Sequence, residues 1–375
     1  MISRHLTKKI QKSLNKGKII IIYGPRQVGK TTLVRQFLNP DTVYYNFDQD
    51  ESRSGFEQAN LERLATFVKP YKMIIIDEAQ RLPNSGLILK ILIDNYPEKN
   101  FIVTGSSSLD LSTSIAEPLT GRHISYMLFP MSYREYMQDK NPVERRELME
   151  TILIYGSYPE IIVASGVAEK KEKNQAIAES YLFKDIFMLD GIKNSASLKL
   201  IVQSLALQLG NEVSLQELSR FSHIDVKTVK RYIDLLEKTF VIFSLPPYFT
   251  NKRKSISRLK KYYFYDTGIR NALIRNFNPL NLRTDVGALW ENFCMVERMK
   301  RNQEHDYSPL SYFWRSYTHH EIDLVEDYGG ELHGFECKWT KDTISKSAKT
   351  AFCEDTGSRD VLVVYKENVE KFINN

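Results

Sequence analysis

Apolar and polar positions along the chain fall into two rhythms. Short unbroken apolar runs recur at Lys18-Ile19-Ile20-Ile21-Ile22-Tyr23, at 42–47, at 71–76 and at 99–103. Runs this short, rich in β-branched residues and bounded by turn residues, read as strands buried on both faces of a parallel sheet. Between them the spacing changes. Ile2, Leu6, Ile10 and Leu14 stand at four-residue steps, which predicts an amphipathic helix over 3–14 with Lys8, Lys9, Lys12 and Lys16 on or near its solvated side. Residues 32–38 predict a second helix. Strands alternating with helices predict a doubly wound α/β domain, whose ligands bind at the carboxyl ends of the strands.

Farther on the rhythm becomes helical. Ser132 and Glu135 form a capping box at a helix start, and 169–188 reads as helix, charged early and apolar later. Residues 211–243 predict a winged helix. Ser214 and Glu217 cap one short helix, and Asp225 caps a second over 226–238. Its buried stripe is Val226, Val229, Ile233 and Leu236, with Lys227, Thr228, Lys230 and Arg231 on the other side. That outer face is the one a helix-turn-helix lays in the major groove, and it equally suits protein packing. The basic stretch 251–261, with Lys252, Arg253, Lys254, Arg258, Lys260 and Lys261, reads either as a connector following a phosphate backbone or as a solvated linker. Asn and Pro in 276–282 mark a boundary. Beyond it come a helix over 286–301 and strands over 311–315, 320–326 and 332–339, the last two joined by a turn at 327–330. Strand alternation places Glu321 and Asp323 on one face and Glu336 and Lys338 on one face, with Ile322 and Leu324 opposite the first pair and Phe335, Cys337 and Trp339 opposite the second.

Candidate chemistry clusters at the ends of the early strands. Gly24-Pro25-Arg26-Gln27-Val28-Gly29-Lys30-Thr31 matches G-x-x-x-x-G-K-[ST] at every fixed position, and Thr32 follows it into the helix. Glycines let backbone N–H groups close around phosphate oxygens, and the helix start adds its positive dipole end. Lys30 is expected at the β- and γ-phosphates of ATP and the Thr31 hydroxyl on Mg²⁺. The strand 71–76 ends in Asp77-Glu78, where Asp77 would hold Mg²⁺, directly or through water, and Glu78 would orient and deprotonate the attacking water. Thr104 and Ser106 close the next strand beside them. Arg122 reads as an arginine finger acting in cis or across subunits, or as a surface ion pair. In the last third, Asp323 and Glu336 could share Mg²⁺, with Lys338 polarising or deprotonating water and Glu291 completing the shell. That is the chemistry of a metal-dependent phosphodiesterase, or of a retained fold with solvated acids.

Composition narrows the setting. The 375 residues are 42% hydrophobic and 26% charged, a soluble globular composition with room for two or three domains. A net charge of +6 fits an acidic partner such as nucleic acid. Three cysteines, Cys294, Cys337 and Cys353, have no metal-ligand spacing and form no complete disulfide set, so a reducing cytoplasm is the expected location. No apolar run suggests a signal peptide or a membrane span.

The whole pattern resembles one family. Gly24 to Thr31, Ile74 to Glu78, Thr104 to Ser108, Gly121-Arg122, Phe129 to Glu135 and Gly156 to Glu160 carry the resemblance. So do Tyr263 to Gly268, Trp290-Glu291-Asn292, Glu321-Ile322-Asp323 and Glu336-Cys337-Lys338. The chain resembles prokaryotic AAA-type ATPases with a restriction-endonuclease-like C-terminal domain of unknown function. The resemblance implies ATP binding and hydrolysis, and no known substrate. It departs at Gly156-Ser157, where members often have two glycines. The expected organisation is an ATP-binding domain over 1–185, a helical and winged-helix domain over 186–275, and an endonuclease-like α/β domain over 276–375. Three functions follow as expectations: an ATPase coupled to nucleic-acid binding or remodelling, an ATP-gated nuclease, or a nucleotide-switched protein scaffold. A homo-oligomer is possible, and no membrane partner is expected.

Overall fold

The computed structural model describes residues 3–57, 60–105, 118–138, 140–180, 195–249, 259–340 and 343–374. Ser106 and the run from Lys252 through Arg258 lie outside the described residues, as does the end of the helix expected over 169–188. The chain divides into two compact units. One is Met1–Met131 with Lys238–Phe240, and the other is Ser132–Glu237 with Val241–Asn375.

The first unit is built on five strands: β1 (Ile19–Tyr23), β2 (Thr42–Asn46), β3 (Met73–Asp77), β4 (Asn100–Gly105) and β5 (His123–Met127). Their order is β2-β3-β4-β1-β5, all parallel. Ile19 to Ile22 are all buried, as a central strand covered on both faces requires. The non-sequential order places crossover connections on either side of β1, so the loop after β1 opens at the switch point of the sheet. Helix α1 (His5–Ser13) buries Leu6 and Ile10, as its four-residue spacing predicts, and α2 (Lys30–Arg35) follows the loop.

The second unit holds two smaller sheets. In the winged-helix segment, β6 (Glu212–Val213), β7 (Ile242–Leu245) and β8 (Lys260–Phe264) pair antiparallel in the order β6-β8-β7. Helices Ser195–Leu207, Leu215–Ser222 and Val226–Lys238 complete it. Asp225 caps the last helix, accepting from the Thr228 N–H at 2.9 Å. Its buried stripe is Val229, Tyr232, Ile233, Leu235 and Leu236. Val226, expected in that stripe, is exposed, because the first residue of the helix projects beyond the packed face.

The C-terminal sheet is ordered β12-β11-β10-β9, from β9 (Leu310–Arg315), β10 (Glu321–Tyr328), β11 (Glu331–Cys337) and β12 (Val361–Val364). Simple alternation fails at one point in it. The pairing of β10 with β9 shifts between Ile322 and Val325, and both residues pack in one core with Trp314 and Phe352. A bulge adds a residue and turns the following side chains over, so Leu324 does not follow the face predicted from Ile322. All three tryptophans lie in this second unit. Trp290 and Trp339 stand ring to ring at 5.7 Å, Trp290 donates to the Val364 carbonyl at 3.2 Å, and Trp314 packs edge-on to Phe352.

A buried carboxylate fastens the helical part of this unit. Asp266 accepts from the Ser157 N–H at 2.7 Å and from the Ile269 N–H at 3.1 Å, capping helix Thr267–Leu273. Gly156 has φ 78° and ψ −170°, and a Cβ there would stand 2.0 Å from an Asp266 oxygen. Among the described residues, no helix is long and apolar enough to cross a membrane.

Candidate functional site

The loop after β1 takes its shape from its glycines. Gly24 has φ 143°, and a Cβ there would stand 2.3 Å from the Leu128 carbonyl oxygen. Gly29 has φ 93° and precedes α2 directly. Gln27, with φ 59°, also takes the left-handed region, and Val28 is buried. Lys30 is buried, and its ammonium donates to the carbonyls of Gly24 at 2.9 Å and Pro25 at 2.7 Å. Arg26 is partly buried and Thr32 exposed.

The sheet brings the acids to the same end. Asp77 pairs with Asn46 at the close of β3, and Tyr23 pairs with Gly105 at the close of β1 and β4. Asp77 is buried and accepts three hydroxyls: Thr31 at 2.7 Å and Tyr44 at 2.6 Å on one oxygen, and Thr104 on the other. Hydrogen bonds to an ionised acceptor are the strong kind, so this cluster ties the loop to the strand end. Burial, reinforced by the Asp77 carboxylate, pushes the Tyr44 phenol up to about 12, which keeps it a donor at neutral pH. Glu78 adopts the left-handed conformation, its N–H donates to Thr104 at 3.1 Å, and the Gln80 amide donates to its carboxylate. Thr31 and Asp77 form an all-oxygen pair, the donor set Mg²⁺ takes.

The motif did not point to Arg4, Tyr44 or Gln80. Arg4 precedes α1 in sequence and is buried. Its guanidinium donates to the Val28 carbonyl in the loop at 2.9 Å and to the Phe129 carbonyl at 2.6 Å. Only the tertiary fold brings it there, across 24 and 125 residues.

Arg122 requires a correction. Its carbonyl accepts from the Ile19 N–H at 2.9 Å, which places it at the amino end of β1, while the loop leaves the carboxyl end. Four strand steps separate the two ends, about 13 Å at ~3.3 Å per residue. Its guanidinium pairs with Asp94 at 2.6 Å on the surface. An arginine finger acting on the same chain is excluded by that position, and the ion-pair alternative is what the structure has.

The second cluster gathers Glu291, Asp323, Glu336 and Lys338 in the last third of the chain. Lys338 pairs with Glu336 at 2.7 Å, and one Glu336 oxygen is buried without a hydrogen-bond partner. Glu291 projects from the helix Val286–Glu304 and accepts from the Tyr263 hydroxyl at 2.6 Å. Asp323 accepts from the Cys337 N–H at 2.8 Å. Burial, and next the neighbouring Asp323, push Glu291 up to about 8 and Glu336 up to about 7. Burial also raises Asp323, opposed by Lys261. Lys261, the last residue of the basic stretch 251–261, is buried, with its ammonium among Glu291, Glu321 and Asp323. The sequence hid this because Lys261 is the second residue of β8 and turns inward, while the basic run before it suggested an exposed one. Among the described residues, no three His, Cys, Asp or Glu side chains are placed to hold a metal ion. Of the three acids expected as Mg²⁺ ligands, Glu291 and Asp323 face the Lys261 ammonium and Glu336 pairs with Lys338.

Comparison with known proteins gives three matched segments. Residues 16–137 match the profile of the AAA domain. They are a P-loop AAA domain. Residues 146–280 and 286–375 match two domains of unknown function, DUF8612 and DUF4143. An uncharacterized protein of Mycobacterium tuberculosis is 27% identical over 359 residues, covering 94% of this chain and 77% of that one. Another, of Haemophilus influenzae, is 24% identical over 377 residues, covering 95% and 88%. Among solved structures, the Aeropyrum pernix ORC2 protein in its ADP form aligns with a TM-score of 0.34 and 14% identity. It covers 72% of this chain and 93% of that one, a likeness too distant to bear on function. The AAA domain is a nucleotide-binding fold, and in this chain it is joined to a separate C-terminal sheet domain.

Proposed function

We propose that the chain binds ATP with Mg²⁺ at Gly24 to Thr31 and hydrolyses it, and that turnover is coupled to nucleic-acid binding through the winged helix. The observation that carries this reading is the Thr31–Asp77–Thr104 cluster with Glu78 beside it, at the strand end that faces the loop. A Mg²⁺ ion at this site would supply positive charge against the negative charge that develops on the transferred group. Thr31 and Asp77 are the residues that would hold it. Lys30, kept at the loop by two carbonyls, supplies fixed positive charge to the β- and γ-phosphates. Glu78 accepts the proton of the attacking water, and the Gln80 amide keeps its carboxylate oriented. Any arginine finger from Arg122 would have to reach a second copy of the chain.

Arg4 holds the loop in place from outside the motif. Arg4→Ala should raise the KM for ATP at least tenfold while kcat stays near wild type, since one charge-assisted hydrogen bond contributes roughly 1.5–3 kcal/mol. Arg4→Lys keeps the charge but not the fork that reaches two carbonyls, so it should recover only part of the loss. Steady-state ATP titrations check this, and an unchanged KM in Arg4→Ala would remove Arg4 from the site.

The nucleic-acid half rests on Lys227, Lys230 and Arg231, all exposed on the helix Val226–Lys238. Phosphate contacts release counterions, so affinity must fall steeply as salt rises. Replacing all three by Ala should weaken binding at least tenfold at low salt and flatten the salt slope by roughly two to three. Fluorescence anisotropy with single- and double-stranded DNA measures both, and ATP turnover with and without each DNA tests the coupling. A protein that binds no nucleic acid at low salt, yet hydrolyses ATP, would favour the nucleotide-switched scaffold.

A further inference from the structure

The acidic cluster of the last third already contains a cation. The Lys261 ammonium lies 3.2 Å from Glu291, in close contact with Glu321, and 3.9 Å from Asp323. It is 1% exposed and faces the Phe313 ring at 5.4 Å. Three carboxylates from two elements, the helix Val286–Glu304 and β10, are thus directed at one buried ammonium from β8. β8 is the central strand of the winged-helix sheet. A divalent ion bound to these carboxylates would sit about 2.0–2.6 Å from their oxygens. The ammonium stands within 4 Å of the same oxygens. Two like charges would be forced together there, with little water to screen them.

We infer that this cluster is a lysine-holding node and not a divalent-cation site: Lys261 is its resident cation, and a metal ion enters only if Lys261 is removed. The node does a structural task. It fastens β8 of the winged-helix sheet to the helix and strand that frame the C-terminal sheet, next to the direct backbone bond from the Tyr248 N–H to the Phe313 carbonyl at 2.6 Å. A buried ammonium stays in place only if carboxylates compensate it, and buried carboxylates only if a cation does, so the two sides of the node require each other. The inference is independent of the ATP reading, because every residue in it belongs to the second unit.

The test is a Mn²⁺ titration of the full chain without nucleotide, with the free ion counted by electron paramagnetic resonance. The wild type should bind Mn²⁺ no more tightly than about 1 mM, the loose range of weakly liganded hard-cation sites. Lys261→Met should gain a site at least tenfold tighter, and adding Asp323→Asn to that variant should remove the gain. Equal affinity in the wild type and Lys261→Met would overturn the proposal, whether both bind tightly or neither does. Should Lys261→Met fail to fold, Lys261→Arg and the wild type decide the question. Both must bind weakly, and micromolar binding by the wild type that Asp323→Asn abolishes would also overturn it.

Discussion

Glu78→Gln should bind ATP within about threefold of wild type and hydrolyse it roughly 10²–10⁴ times more slowly, the range a positioned general base contributes. The substitution keeps the side chain's size, and its amide oxygen can still accept from Gln80. It removes only the basicity that takes the proton from water. The loop is untouched, because Lys30 is held by the carbonyls of Gly24 and Pro25 and Thr31 by Asp77. Lys30→Ala is the converse case, losing affinity first, since it removes the charge facing the phosphates. Calorimetric ATP binding alongside a phosphate-release assay separates the two variants. Wild-type turnover by Glu78→Gln would show that another group activates the water.

The other large effect is on stability. Gly156→Ala puts a methyl group 2.0 Å from the Asp266 carboxylate at a backbone conformation open essentially to glycine alone. The backbone strain costs about 1–3 kcal/mol. Moving Asp266 would break its bonds to the Ser157 and Ile269 N–H groups inside the protein, roughly 1–3 kcal/mol more. Against a typical stability of about 5–15 kcal/mol, the loss is a large share of the total. Gly166→Ala is the control, since a Cβ there meets nothing within 4 Å. Urea unfolding followed by circular dichroism should show a large drop for Gly156→Ala and almost none for Gly166→Ala. A Gly156→Ala protein as stable as wild type would mean that the turn relaxes freely.

How far the sequence could be read depended on whether a feature was local. The loop from Gly24 to Thr31, the acids closing β3 and the caps at Ser132 and Asp225 are written within a few residues, and the structure places them as read. The parallel sheet followed from apolar runs that no surface strand would tolerate. Arg122 misled because a Gly-Arg pair says nothing about which end of a sheet it occupies. Arg4 and Tyr44 were missed because each meets its partner only through tertiary packing, across 24 and 33 residues. The bulge in β10 was invisible because alternation presumes a regular ladder. The burial of Lys261 was not legible because it closes a run of basic residues, and nothing in such a run marks the one that turns inward.

The positions of the tryptophans decide what light can report. Trp290, Trp314 and Trp339 all belong to the second unit, and the first unit carries tyrosine and phenylalanine but no tryptophan. Emission excited at the red edge of the absorption band therefore comes from the Ser132–Asn375 part alone. ATP binding at the loop will be silent in that channel unless it alters the other unit. A change in tryptophan emission on adding nucleotide would thus be a label-free measure of communication between the two.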